Sequence, residues 1–300
     1  MGTVIDRLAV TGGGWRNRHS ALRLAVAAAR TCLEEAETDP ADVDLLVNTG
    51  IYRDRNLAEP ALAALIQEDV GVNAEDPHAD AHGTFSFDVA NGTCGVLTAL
   101  QIVDGFLRSR TINRALVVAS DADPGHGMSE GFPFSPAGAA LLCGWRDDDY
   151  GLGRVHWVNL PDDGETFSAT IGFEDSRNVL RVRQSATMDE RFATAGSEVA
   201  RSCLREASLG LADVDMIVAA PARPEYRAAL AAHLGVPIDR VTVAADARTH
   251  TAALAAALHG AADELRPGAR VLLIAVGAGV TAGAALYRLA PVAVSRPWGW

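Results

Sequence analysis

The chain of 300 residues contains no lysine, so all 26 of its basic residues are arginine. That absence excludes internal Schiff-base chemistry and the phosphate-gripping lysine of a P-loop, since both need an ammonium group. Cysteine is scarce: Cys32, Cys94, Cys143 and Cys203 are widely spaced, with no CxxC and no clustered histidine. Neither a disulfide framework nor a bound metal is expected from such spacing. There is no run of about 18 apolar residues, and the N-terminal "MGTVIDRLAV" has no basic region ahead of a long apolar one. No membrane span and no signal peptide are expected, which reads as a cytoplasmic chain. A net charge of −12 argues against nucleic acid as a partner. What is present is apolar material: 49% of residues are hydrophobic and 21% charged, enough for a substantial core.

The dominant pattern is an internal repeat. "ARTCLEEAETDPADVDLLV" (29–47) and "ARSCLREASLGLADVDMIV" (200–218) align without gaps at an offset of 171, each predicting an amphipathic helix, a loop and an apolar strand. A Pro-started helix ending near Gly-Val follows in both copies, then a strand ("FSFDV", "VTVAA"), an Ala- and Leu-rich helix, and a fully apolar strand ("RALVVAS", "ARVLLIAVG"). In this later part the offset falls to 156, which sets Thr93-Cys94 over Thr249-His250. Central helices with so few polar positions are hidden on all sides. The expected architecture is therefore a layered αβαβα fold of two pseudo-repeated halves, 1–150 and 151–300, joined by strands and polar loops over 145–195. Cys32 and Cys203 occupy equivalent apolar helical faces and are expected to be buried.

The repeat brings Cys94 and His250 to the starts of two equivalent buried helices, where a thiolate and an imidazole would make a minimal nucleophile and base. A helix N-terminus would lower the Cys94 pKa and disfavour the cationic form of His250. The alternatives are a small apolar residue packed at a helix start and a buried histidine satisfied by a carbonyl. His126, in "SDADPGHGM", is either a pocket residue or a solvated loop residue, and the charges of "YRDR" (52–55) are expected at a dimer interface or a solvated turn.

"GGGWRNRHSALRLAVAAARTCLEEA", "FDVANGTCGVLTALQIVDGFLRSRTINRALVVASDAD", "VDMIVAAPARPEYRAALAAHLGVPIDRVTV" and "ARVLLIAVGAGVTAGAALYRL" follow one another in an order that resembles the thiolase superfamily, in particular its β-ketoacyl-acyl-carrier-protein synthase III branch. The resemblance covers nearly the whole chain and implies a thiolase-like fold, a dimer, and acyl transfer or condensation. Its substrate would be an acyl thioester of CoA or acyl carrier protein, with no permanently bound cofactor. The family's Cys, His and Asn are out of register here. Thr93 stands where the family has its nucleophile, with Cys94 one residue later. Ala220-Pro221-Ala222-Arg223 replaces the His-Gln-Ala-Asn motif, and His250-Thr251 replaces the Asn-Thr pair. The Gly277-Ala278-Gly279 turn is retained, with backbone N–H groups suited to an oxyanion hole. The family's CoA-sandwiching segment is missing before "WRNRH", where Trp15, Arg16 and Arg18 are the partial substitutes, so the cofactor-binding residues stay unassigned. Two functions follow. One is an acyl-transferring or condensing enzyme with Cys94 as acyl carrier, His250 as its base and Thr93 as a poorer nucleophile. The other is a non-catalytic ketosynthase-like subunit paired with an active partner, as a homodimer or heterodimer.

Overall fold

The computed structural model describes residues 2–14, 17–72, 83–125, 127–162 and 164–291. Trp15, Arg16 and His126 lie outside the described residues. The first half runs β1 (Gly2–Gly12), α1 (Ala21–Glu35), β2 (Leu45–Asn48), α2 (Leu62–Val70), β3 (Phe85–Asp88), α3 (Gly95–Arg108), β4 (Arg114–Asp121) and β5 (Ala137–Arg146). The chain continues through β6 (Gly151–Leu152), β7 (His156–Asn159) and a hairpin of β8 (Phe167–Glu174) and β9 (Arg177–Gln184). The repeat then resumes with α4 (Met188–Glu206), β10 (Met216–Ala220), α5 (Pro224–Leu234), β11 (Val241–Thr242), α6 (Ala253–Gly260), β12 (Arg270–Gly277) and β13 (Thr281–Arg288).

Five strands make one sheet in the order β1-β5-β4-β2-β3, and the other runs β11-β10-β12-β13-β6, with β7 also on β13. In each sheet the crossover strands are parallel (β2 with β3 and β4, β10 with β11 and β12), and the last two pair antiparallel. Parallel strands need helical crossovers, and those crossovers cover both faces. Helices α1 and α2 pack outside the first sheet, around Leu24, Leu46 and Ile66. Helices α4 and α5 do the same outside the second, around Phe192, Ile217 and Tyr226. Between the sheets lie α3 and α6, with Leu97, Leu100, Ala255 and Leu258 buried against Val117 and Leu273. This is the layered αβαβα architecture that the repeat predicts.

The repeat extends to local devices. Helices α2 and α5 both end on a left-handed glycine, Gly71 (φ 78°) and Gly235 (φ 74°), whose N–H groups satisfy the last-turn carbonyls. Asp44 accepts from the backbone N–H groups of Asn113 and Arg114 just as Asp215 accepts from Arg270, tying strand starts together in each half. Cys32 and Cys203 are both buried, as their matched positions predict. One strand is shorter than expected: over 241–245 only Val241 and Thr242 pair, because β11 is an edge with β10 as its neighbour. The other edge, β3, leaves Phe85 59% exposed.

Candidate active site

The parallel strands of both halves point their C-terminal ends at one place, and the heads of the two central helices meet there. A cavity of about 500 Å³ opens between them. Its walls come from the loop after β2 (Tyr52), the segment before α3 (Asn91, Gly92, Thr93), Phe134, Phe167 of the hairpin, His250 before α6, and Gly277–Gly279 after β12. Open α/β sheets bind ligands at such strand ends.

Ahead of α3 the chain makes a 3-10 turn over Gly92–Cys94, entered through Gly92 at φ 50°. The turn puts Thr93 on the cavity wall and rolls Cys94 beneath it. The Cys94 thiol is fully buried and sits 3.5 Å from the carbonyl of Thr281, on the side away from the cavity. Burial pushes it up to about 12. The lowered thiol pKa expected from the helix position of Cys94 is therefore corrected, and the alternative, a small residue packed at a helix start, is the one that fits. The helix N-terminus favours a thiolate only where charge can also be solvated, and here apolar packing outweighs it.

Thr93 does face the cavity, but its hydroxyl donates to the carbonyl of Val276. Its proton is committed to backbone and not to an imidazole. Gly277 closes against this corner: a Cβ there would lie 3.1 Å from Thr93 Oγ1 and 3.4 Å from the Cys94 sulfur. Gly279 takes a positive φ of 70° as the chain turns from β12 into β13. Gly277 and Gly279 both line the cavity, as the expected oxyanion turn requires.

His250 is buried to 8% exposure in a cage of rings, with centroids of Phe134, Tyr52 and Phe167 at 4.1, 5.2 and 6.0 Å. Its Nδ1 lies 3.7 Å from Oδ2 of Asp121, at the end of β4, and has no other polar partner among the described residues. The other edge of the ring lies over Gly92, where a Cβ would stand 3.9 Å from Nε2. Asp121 is itself buried and held firmly. The N–H and hydroxyl of Thr251 both donate to Oδ2 at 2.7 Å, and the N–H of Tyr52 donates to Oδ1. Burial alone would raise its carboxyl, but His250 and Thr251 together hold it below the ordinary carboxylate value. The site thus contains a buried carboxylate behind an imidazole whose far edge borders the cavity.

The sequence reading missed Asp121. Its signal is an acidic residue closing the fully apolar strand "RALVVASD", where a carboxylate has no reason to be buried unless something binds it. Tyr52 is a cavity wall, Arg53 joins Asp88 in capping α2, and Asp54 accepts from Ser20 and the N–H of Ala21 to cap α1. Asp88, braced by Arg53, and Asp54 thus serve helix ends within the chain. Ala220, in the place of the family's histidine, is fully buried, while Arg223 lines the cavity and grips Asp189 at 2.7 and 2.8 Å.

Comparison with known proteins agrees with this geometry. A family profile described as 3-oxoacyl-[acyl-carrier-protein] synthase III C terminal matches residues 204–289. The β-ketoacyl-[acyl-carrier-protein] synthase III of Koribacter versatilis is 29% identical over 303 residues, covering 92% of this chain and 87% of the relative. Among solved structures, 3-oxoacyl-[acyl-carrier-protein] synthase III from Aquifex aeolicus superposes with a TM-score of 0.79 at 20% identity, covering 96% of this chain and 100% of the other. Over nearly its whole length the chain is thus similar to the synthase III proteins of the thiolase superfamily and shares their fold. The priming β-ketosynthase of the R1128 polyketide pathway has the same fold, with a TM-score of 0.79 at 20% identity and 96% coverage of both chains. Against that family background the cavity is unusual. Its wall carries Thr93 and His250, and Asp121 stands behind the imidazole.

Proposed function

We propose that this synthase III-like chain transfers the acyl group of a thioester carried by CoA or acyl carrier protein, in fatty-acid-like or specialised metabolism. The observation that carries the reading is His250 bordering a 500 Å³ cavity at the junction of the two halves, opposite the Gly277–Gly279 turn. The names of the relatives support an acyl-thioester substrate. Arg248 on the cavity wall is a cation suited to the phosphate that both carriers possess. Simple acyl transfer is favoured over decarboxylative condensation, because an enolate needs two polar stabilisers and the site offers one imidazole. The chain works as a dimer through the β3 edge, where exposed Phe85 needs cover, and no resident cofactor is required. Among the described residues no helix is long and apolar enough to cross a membrane, and the proposed compartment is the cytoplasm.

The test is incubation with a panel of acyl-CoA and acyl-carrier-protein thioesters, following free-thiol release and intact mass together. Thiol release that depends on His250 is expected. The buried Cys94 thiol favours one competing reading, a non-catalytic subunit whose active partner supplies the nucleophile. That reading requires silence from the isolated chain and co-purification with a second ketosynthase-like subunit. Turnover by the isolated chain would overturn it.

A further inference from the structure

Among the described residues the cavity contains a base with a carboxylate behind it, and both nucleophile candidates of the 92–95 turn are held back. Cys94 is turned into the core and the Thr93 proton is held by Val276. The geometry points to a one-step transfer, in which Asp121 and His250 activate a hydroxyl or amine of the acceptor itself and no acyl-enzyme forms. The inference rests on the acyl-thioester reading above and specifies its nucleophile, its base and its kinetic order.

The step balances within the cavity. The acceptor O–H or N–H gives its proton to His250 Nε2 as its oxygen or nitrogen bonds to the thioester carbonyl carbon. The carbonyl electrons move onto oxygen, beside the Gly277–Gly279 turn, and return as the C–S bond breaks. The leaving thiolate takes the proton back from Nε2, so an ester or amide and a free thiol are formed. Asp121 keeps Nδ1 protonated and favours the cationic imidazole while it exists; Asp121 is a positioning residue, acting through His250. Nδ1 and Oδ2 stand 3.7 Å apart.

The surroundings agree with this assignment. Asp121 of β4 is the acidic group facing His250, the phenol of Tyr52 is kept neutral by burial, and Thr251 bonds the same carboxylate oxygen. The cations on the cavity wall are Arg223, neutralised by Asp189, and Arg248, with Asp246 at 3.9 Å. The rings of Tyr52, Phe134 and Phe167 around the imidazole make the acceptor end apolar, suited to an alcohol or amine on an aromatic or alkyl body.

The experiment uses the full chain with octanoyl-CoA as donor and phenethylamine, phenethyl alcohol or water as acceptors, measuring CoA release, product mass and intact protein mass. Expected are a rate that rises with both donor and acceptor in an intersecting pattern, no acylated protein, and unchanged turnover in Cys94→Ala. His250→Gln should lose about 10²–10⁴-fold in kcat. Asp121→Asn should lose about 10- to 100-fold in kcat with donor KM little changed, the worth of a hydrogen bond to a charged group. Asp121→Glu should restore part of the loss. If a variant melts early, its turnover is read well below its own melting midpoint, with the folded fraction set by circular dichroism, so that a loss of rate is separated from a loss of fold. An acyl group trapped on Cys94 or Thr93, or parallel double-reciprocal lines, overturns the one-step route while leaving acyl transfer standing. Absence of CoA release with every acceptor overturns both.

Discussion

The heads of α3 and α6 are the same place in two copies of one design, yet they carry opposite contents. Thr93-Cys94-Gly95 in the first corresponds to Thr249-His250-Thr251 in the second. At the first head the chain makes a 3-10 turn, the sulfur rolls under, and Gly95 packs where a Cβ would lie 2.9 Å from the Cβ of Thr49. At the second, Thr251 has a full side chain that bonds Asp121, and the imidazole beside it stays on the cavity wall. Pseudosymmetry therefore fixes where two residues come together, but the partners around each decide which of them meets solvent. A small thiol is satisfied by apolar packing and one carbonyl. An imidazole needs a polar partner, and Asp121 supplies it.

The sharpest way to break this contrast is chemical labelling. With its pKa pushed up to about 12 by burial, the Cys94 thiolate at neutral pH is roughly a thousandth of that of an ordinary thiol. Iodoacetamide on the native protein should leave Cys94 unmodified and mark Cys203 first, whose thiol is pushed up only to about 11. The order expected from helix position alone is the reverse, and early labelling of Cys94 on peptide mapping would restore it as a nucleophile.

Next in size is the pH dependence built on Asp121. Its folded carboxyl is held below the unfolded value, so its contribution is present above about pH 4 and is lost as pH falls through the lower folded value. Asp121→Asn should cost about 1.5–3 kcal/mol at pH 7. Urea titrations at pH 7 and pH 3 should show that gap closing at the acid end; a gap of equal size at both would mean that the charge is not what stabilises the α6 head.

Gly95→Ala should destabilise by about 1–3 kcal/mol through overpacking against Thr49, visible as a lower urea midpoint with unchanged slope. A neutral result would show that the α3 head has room to turn Cys94 outward. Smallest is Cys94→Ala, expected to cost about 1 kcal/mol in the same titration, since a small buried group is lost from a site that tolerates Ala.

Much of this was legible beforehand, because it rests on short-range pattern. The helices α1 and α4, the strands β2 and β10 and the glycine stops at Gly71 and Gly235 follow from periodicity and the backbone freedom of glycine. The buried central helices follow from their lack of polar residues. The sequence leaves the direction of Cys94 open, because it depends on a positive φ at Gly92 and on the sulfur finding Thr281, 187 residues away. Asp121 was missed for a related reason: its partners Tyr52, His250 and Thr251 come from two other loops, and the nearest is 69 residues distant.

By itself, then, the sequence determined the layered fold, the repeat, and the meeting of residues 93–94 with 249–250, since alternating apolar strands and helices of two matched halves have one way to bury their faces. Tertiary structure alone decided which of those residues faces the cavity, because side-chain direction at an irregular helix start is set by packing and long-range polar partners. The thiol went to the core and the imidazole to the cavity, and a carboxylate from a third segment stands behind the imidazole.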